Sequence, residues 1–308
     1  MLKIGVIGMS DGNGHPYSWS AIINGDFNSK AMKDCGFPVI PVYLEANRDT
    51  LGIDGAKVTH VWCKEGLNIA EHCAKASLID NAVDNMEDMI GQVDAVLLAR
   101  DDPENHVAMA KPFIDANVPI FIDKPLAFSA EDLAYFTEQV QAGKFVMSSS
   151  ALRYSPGVQA ARGELAGLGE IKLCVAVGAK SLRTYAIHYL EGMFSLLGYP
   201  KAATVRHISE SGKDIMYIEF ENGMLATVHV FTGIAGGELN IYGSAGSLQV
   251  NHGGAYTMFR NQLVEAVRSF QAGKPRTNFE DTYRVISTLV AARESLENGG
   301  KKINVANL

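Results

Sequence analysis

The chain has 308 residues, 47% hydrophobic and 20% charged, with a formal net charge of −7. That length predicts two domains, and the balance of apolar to charged residues excludes a disordered chain. An acidic balance without a block of Lys or Arg argues against nucleic acid or an anionic membrane as partner. No apolar run approaches the roughly 20 residues that span a bilayer. The N-terminal run Leu2–Gly8 is too short for a signal peptide and reads as a strand, which predicts a cytoplasmic protein. The four cysteines, Cys35, Cys63, Cys73 and Cys174, form no Cys-x-x-Cys pair and read as reduced structural thiols.

The first half alternates strand and helix patterns. Lys3–Ile7 is a short apolar strand, followed by a Gly-rich loop over Gly8–Gly14 and a helix from near Pro16. Strands are predicted at Val58–Cys63, Ala95–Ala99, Pro119–Ile122 and Phe145–Ser148, with helices at Leu67–Ala76, His106–Ala116 and Glu131–Ala142. This rhythm predicts an α/β fold with a doubly wound parallel sheet over residues 1–148. Residues 26–57 carry Pro38, Pro41, Gly52 and Gly55 without a helix period, and read as an inserted connection.

Beyond residue 148 the pattern changes. Glu170–Val177, Thr204–Ser209, Ile215–Glu221, Leu225–Phe231, Glu238–Tyr242 and Ser247–Val250 read as strands. Turn signals such as Glu221-Asn222-Gly223 join several of them, which predicts a mostly antiparallel sheet in a second, α+β domain over 149–308. Gly243-Ser244-Ala245-Gly246-Ser247 lacks the strand-then-helix setting of a nucleophile elbow and reads as a hairpin turn. Helices are predicted at Arg183–Leu197, Tyr256–Gln271 and Phe279–Asn298, the last ended by Gly299-Gly300.

A glycine-rich turn between a first strand and a first helix lets backbone N–H groups approach a pyrophosphate. Gly8, Met9, Ser10, Asn13, Gly14 and His15 occupy that place, although Ser10 stands where the fingerprint G-x-G-x-x-G has its second glycine. At the end of the second strand come Cys63, Lys64 and Glu65. Lys64 suits a 2′-phosphate and hence NADP, whereas Glu65 suits the ribose hydroxyls of NAD, and both readings stand. His60, Cys63, His72 and Cys73 do not read as a metal site, because strand neighbours three apart point to opposite faces.

Asp123-Lys124-Pro125 closes the strand ending at Ile122, at the edge where α/β sheets bind ligands. A lysine there presents a compact charge that a neighbouring carboxylate positions, and Pro125 is a candidate for a cis peptide. The motif resembles the Glu-Lys-Pro motif of the glucose–fructose oxidoreductase / inositol dehydrogenase (Gfo/Idh/MocA) family. Asp94–Ala99 with Asn105-His106 is similar to that family's fourth strand and following turn, from which Arg100-Asp101-Asp102-Pro103 departs. Leu168–Ile171 and the tail from Phe279 to Gly300 resemble the start and the closing helix of its second domain.

The resemblance implies a Rossmann domain that binds NAD or NADP, with Ala99, Arg100, Asp101, His106, Asp123 and Lys124 beside the cofactor. It further implies a second domain with an open sheet that forms oligomer contacts, and a closing helix that packs back on the first domain. The family's helix with Asp-x-x-x-His and a later acid matches Thr184, His188 and Glu191, with threonine in place of the aspartate. Positions 184, 188 and 191 are spaced to share a helical face, and Tyr185 lies one turn before His188. Arg153 follows the last strand of the first domain and suits either an anionic substrate group or a structural ion pair.

The implied reaction is hydride transfer at a CH–OH group of a sugar, cyclitol or related polyol. His188 would be the general base and Lys124 would orient the hydroxyl, with Glu191 or Tyr185 tuning His188 and Thr184 and Arg153 lining the substrate. The alternatives are a redox-neutral lyase or hydrolase that uses bound NAD, and a non-enzymatic ligand sensor on the same fold.

Overall fold

The computed structural model describes residues 1–308 as two compact units. The first comprises residues 1–126, 135–148 and 259–277; the second comprises 127–134, 149–258 and 278–308.

The first unit is built on β1 (Leu2–Gly8), α1 (His15–Asn24), α2 (Ser29–Lys33), α3 (Val39–Ala46), β2 (Ala56–Cys63), α4 (Leu67–Ser77) and β3 (Asn81–Ala82). It continues through β4 (Ala95–Leu98), α5 (His106–Asp115), β5 (Ile120–Ile122), α6 (Ala130–Gln141) and β6 (Val146–Ser148). The strands form one parallel sheet in the order β3-β2-β1-β4-β5-β6. β4, β5 and β6 are buried at every residue, as expected of parallel strands covered on both faces. The strand order reverses between β1 and β4, and α/β sheets bind ligands at the C-terminal ends beside such a switch point.

Residues 26–57 are not an irregular insertion. They fold into α2, α3 and a 3-10 turn at Arg48–Thr50. Asn28 caps α2 by accepting the N–H groups of Lys30 and Ala31. Pro38 is the N-cap of α3 and Pro41 lies in its first turn, where helical N–H groups have no intrahelical acceptor to lose. Helices of 5 and 8 residues are too short to display a 3.6-residue period in sequence. The segment packs on the start of α1: a Cβ on Gly14 would lie 2.5 Å from Ile40 Cδ1 and 2.7 Å from the Phe37 ring.

The second unit carries α7 (Pro156–Ala161), β7 (Ile171–Ala179), α8 (Ile187–Leu197), β8 (Ala202–Glu210), β9 (Lys213–Phe220), β10 (Leu225–Phe231), β11 (Gly237–Gly243) and β12 (Ser247–Val250). The division between units falls within α9 (Ala255–Ala272), and α10 (Phe279–Glu297) with β13 (Ile303–Asn304) completes the chain. The closing helix α10 therefore groups with the second unit, and it is the segment from Phe259 to Thr277 that groups with the first.

Seven strands pair in the order β12-β11-β7-β10-β9-β8-β13, antiparallel except for β7 beside β10. Gly243–Ser247 is the turn of the β11–β12 hairpin. Alternation is strict: Cys174, Ala176, Met216, Ile218, Ala226, Val228 and Val230 are buried. α8 packs on β7 and α10 on β8. Leu173, Val175, Val177, Ile215, Tyr217 and Phe231 alternate with the buried set and remain half-exposed on the opposite face. Asn278 caps α10 and Gly299-Gly300 ends it with positive φ, the Gly300 N–H reaching the Ser295 carbonyl.

Candidate active site

In the first unit, the C-terminal sheet edge gathers the loop after β1, the ends of β2 and β4, and the turn after β5. Ser10 and Asn13 close a tight turn, with the Asn13 N–H on the Ser10 carbonyl. Gly8 is glycine for a steric reason, since a Cβ there would lie 2.5 Å from Pro16 Cγ in the first turn of α1. The Met9 N–H donates to Glu65 Oε2 at 2.9 Å, tying the loop to the end of β2. Lys64 turns instead to Asn105 Oδ1, at 3.3 Å. Cys63 is buried, and burial pushes its thiol up to about 12, so it is no nucleophile.

The departure Arg100-Asp101-Asp102 proves to be a charge cluster. Buried Arg100 forks onto both oxygens of Asp102, at 2.9 and 2.6 Å, and reaches Glu65 at 3.2 Å. Burial raises the Asp102 pKa, but Arg100 and Asn105 outweigh it and hold the carboxyl below its ordinary value. Ser10 Oγ donates to Asp101 Oδ1 at 2.7 Å, and Lys124 Nζ donates to Asp101 Oδ2 at 3.1 Å. Lys124 is buried except for about a twentieth of its surface, 5%. The Lys124–Pro125 peptide is cis, as is Gly8–Met9.

Asp123 faces inward rather than toward a ligand. Its Oδ2 accepts from Asn13 Nδ2 at 3.0 Å and lies 2.5 Å from His15 Nδ1, and its Oδ1 takes the Lys124 N–H at 2.8 Å. Burial raises its pKa, yet His15 and Lys124 override burial and bring it down to about 2. His15 stacks on Trp19 with ring centroids 4.7 Å apart. His106, expected beside the cofactor, is wholly buried. Its Nε2 faces the Arg100 carbonyl at 3.0 Å and its Nδ1 the Leu126 carbonyl at 3.1 Å, so it braces two turns of the edge. Ala99 is buried, its N–H on the Ile7 carbonyl.

These residues fit the adenosine end of a nicotinamide dinucleotide. Glu65 stands at the end of β2 with one oxygen on Met9 and the other on Arg100. Each carboxylate oxygen keeps a second lone pair for a ribose hydroxyl. The start of α1 departs from the usual cradle. The His15 N–H goes to Asn13 Oδ1, Pro16 has none, and the Tyr17 and Ser18 N–H groups go to the Gly14 carbonyl.

In the second unit, His188 is half-buried in the first turn of α8, with Nδ1 2.6 Å from Ser150 Oγ. A π-helical turn, Leu182–Ala186, leads into α8. Thr184 Oγ1 pairs with Ser181 Oγ at 3.0 Å. Tyr185 packs edge-on to His188 with centroids 5.0 Å apart, and Lys180 Nζ lies 4.3 Å from the Tyr185 ring centre.

Glu191 and Arg153 are a buried structural pair. Arg153 Nη2 and Nε bond Glu191 Oε1 and Oε2 at 2.7 and 3.1 Å, and Arg153 also reaches Thr282 Oγ1. Burial opposes the Arg153 charge, but Glu191 overrides it and raises the pKa. Glu191 Oε2 accepts the Ser150 N–H at 2.7 Å. The two side chains satisfy each other, as a structural ion pair does. Of the expected residues, Lys124 keeps Asp101, and His188 and Tyr185 stay together. Sequence reasoning missed Ser150 as the partner of His188, because 38 residues separate them and only the tertiary fold joins them.

Residues 38–148 match the family model described as the oxidoreductase family with an NAD-binding Rossmann fold. The resemblance to the Gfo/Idh/MocA family is borne out over that segment, which begins after the Gly-rich loop. The whole chain shares its fold with solved structures of low identity. Myo-inositol 2-dehydrogenase from Lactobacillus plantarum is 15% identical with a TM-score of 0.77, covering 98% of this chain and 99% of that one. Myo-inositol dehydrogenase from Lactobacillus casei, in complex with NAD(H) and myo-inositol, is 16% identical with a TM-score of 0.77, covering 99% and 96%. An oxidoreductase from Agrobacterium radiobacter, in complex with NAD+, L-tartaric acid and magnesium, is 15% identical with a TM-score of 0.75, covering 99% of both. No curated protein matches the sequence.

Proposed function

We propose that the protein is an NAD-dependent dehydrogenase acting on a CH–OH group of a sugar, cyclitol or related polyol. The observation that carries this reading is Lys124, a nearly buried ammonium held by Asp101 at the C-terminal end of β5 in an NAD-binding Rossmann fold. A bound nicotinamide supplies the hydride acceptor or donor. Lys124 offers hydrogen bonds to the substrate hydroxyl and stabilises negative charge as it develops on oxygen. The imidazole of His188 is the proposed general base for a substrate hydroxyl, taking its proton or returning it. Tyr185, packed on His188, restricts how that ring turns.

Glu65 favours NAD over NADP, because its carboxylate at the end of β2 accepts from ribose hydroxyls and repels a 2′-phosphate. The half-exposed face with Leu173, Val175, Tyr217 and Phe231 supports a homo-oligomer formed through the second sheet. Four buried cysteines without disulfides support a reducing, cytoplasmic setting. No helix is long and apolar enough to cross a membrane.

The test is oxidation of a polyol and sugar panel, followed as NADH formation. His188→Ala is expected to lower kcat by roughly 10²- to 10⁴-fold without weakening NADH binding. Near-normal turnover in that variant would remove His188 from the chemistry. Failure of every substrate would remove the dehydrogenase reading.

A further inference from the structure

The first turn of α1 keeps no main-chain donor for a ligand. The His15 N–H goes to Asn13, Pro16 has none, and the Tyr17 and Ser18 N–H groups go to the Gly14 carbonyl. The cations of the sheet edge are also committed: Arg100 to Asp102 and Glu65, Lys124 to Asp101, and Lys64 to Asn105. One group at the loop can still supply positive charge, the imidazole of His15, and the structure holds it in a single orientation. Its Nδ1 lies 2.5 Å from Asp123 Oδ2. Asp123 is buried, and with its carboxyl brought down to about 2 it is a carboxylate that only accepts, so Nδ1 carries the hydrogen. Asn13 Nδ2 and the Lys124 N–H fix Asp123 in turn. One face of the ring stacks on buried Trp19, and Phe259, which belongs to the same unit, meets it edge-on with centroids 4.9 Å apart. The His15 side chain keeps 16% of its surface exposed, and no group of the protein bonds its Nε2.

We propose that His15 is the phosphate contact of this loop: as the dinucleotide binds, Nε2 takes up one proton from solvent and donates it in a hydrogen bond to a pyrophosphate oxygen, while Nδ1–H stays on Asp123. A side chain thereby replaces the main-chain donors that the helix start has spent, and cofactor binding becomes linked to a proton. An imidazole suits this exchange because it gains and loses a proton near neutral pH, and a charged donor bonds a phosphate more strongly than a neutral one. The elements packed against the ring bring no competing titration. α1 carries no carboxylate, lysine or arginine, Asp123 stays ionised, and Lys124 stays on Asp101. Arg260, next to Phe259, is bonded to the carbonyls of Thr50 and Gly52, and Asp11 of the loop is exposed. This inference deepens the reading of the sheet edge as a dinucleotide site and rests on it.

The experiment is calorimetric titration of the full-length protein with NADH and with ADP-ribose, in buffers of different ionisation heat, between about pH 6 and 9. Both ligands carry the pyrophosphate, and both are expected to bind with uptake of a proton and to bind more weakly as pH rises. His15→Asn keeps a donor for Asp123 and has nothing in the place of Nε2. It is expected to abolish the uptake and to weaken NADH binding roughly 10- to 100-fold. NADH bound by the wild type with no proton taken up anywhere in that range overturns the proposal, and this holds even where His15→Asn fails to fold. Unchanged uptake or affinity in folded His15→Asn overturns it as well, as does uptake with NADH but not with bound ADP-ribose, which would move the contact to the nicotinamide. Each of these leaves the dinucleotide site standing, whereas binding of neither ligand by folded wild type brings down that reading and this inference with it.

Discussion

At the scale of single residues, the sheet edge of the first unit is organised by carboxylates that the chain itself satisfies. Asp123 is the clearest case. Its folded pKa of about 2 lies below its ordinary 3.8, so it stabilises the fold above that ordinary value and loses the contribution as pH falls toward 2. The difference corresponds to about 2 kcal/mol. Asp123→Asn should therefore lower stability by about that amount at neutral pH and much less near pH 2, as read by urea unfolding at several pH values. Equal losses at both pH values would contradict the ionic account. His106 adds an acid-sensitive group, because burial lowers its pKa below 6.5; its contribution is present above that value and fades as pH falls below it. The sequence displayed Asp123, Lys124 and His188 as candidates through their places in motifs. It did not display that Glu191 and Arg153 satisfy each other, since a buried pair and a ligand-binding pair use the same residue types.

At the scale of elements, the parallel strands and their helices were legible because apolar runs such as Ala95–Leu98 admit few readings. The short helices α2 and α3 were not, and neither was the π turn before α8. A single wider turn leaves no mark in residue spacing; in the structure Thr184 bonds Ser181 and Tyr185 packs against His188. The approach of α1 to β1 depends on Gly8. Gly8→Ala puts a Cβ 2.5 Å from the Pro16 ring, which the first helical turn holds in place. Overpacking of this kind costs about 1–3 kcal/mol, and the variant is expected to unfold at lower urea concentration with an unchanged m-value. A midpoint equal to that of the wild type would show that the loop yields without cost.

At the scale of the whole molecule, the chain carries two units with different duties: one a parallel sheet with a ligand edge, the other a mixed sheet with one face under helices. The half-exposed apolar face is one that a second copy of the same chain would cover in the proposed symmetric assembly. Light scattering after size exclusion should report a dimer or higher oligomer, and Tyr217→Asp with Phe231→Asp should shift it toward monomer without unfolding. A wild-type monomer at micromolar concentration would remove that assembly. The class of fold was legible from the order of strands and helices, whereas the oligomer number was not, because one half-exposed face serves several symmetries.

Whether the first unit holds NAD despite its altered loop is decided by a fluorescence titration of the protein with NADH and with NADPH. Saturable NADH binding at least about tenfold tighter than NADPH is expected, a difference of about 1.4 kcal/mol, with the preference lost in Glu65→Ala. Binding of neither nucleotide by folded protein would contradict it and would leave the fold as a scaffold for a different ligand.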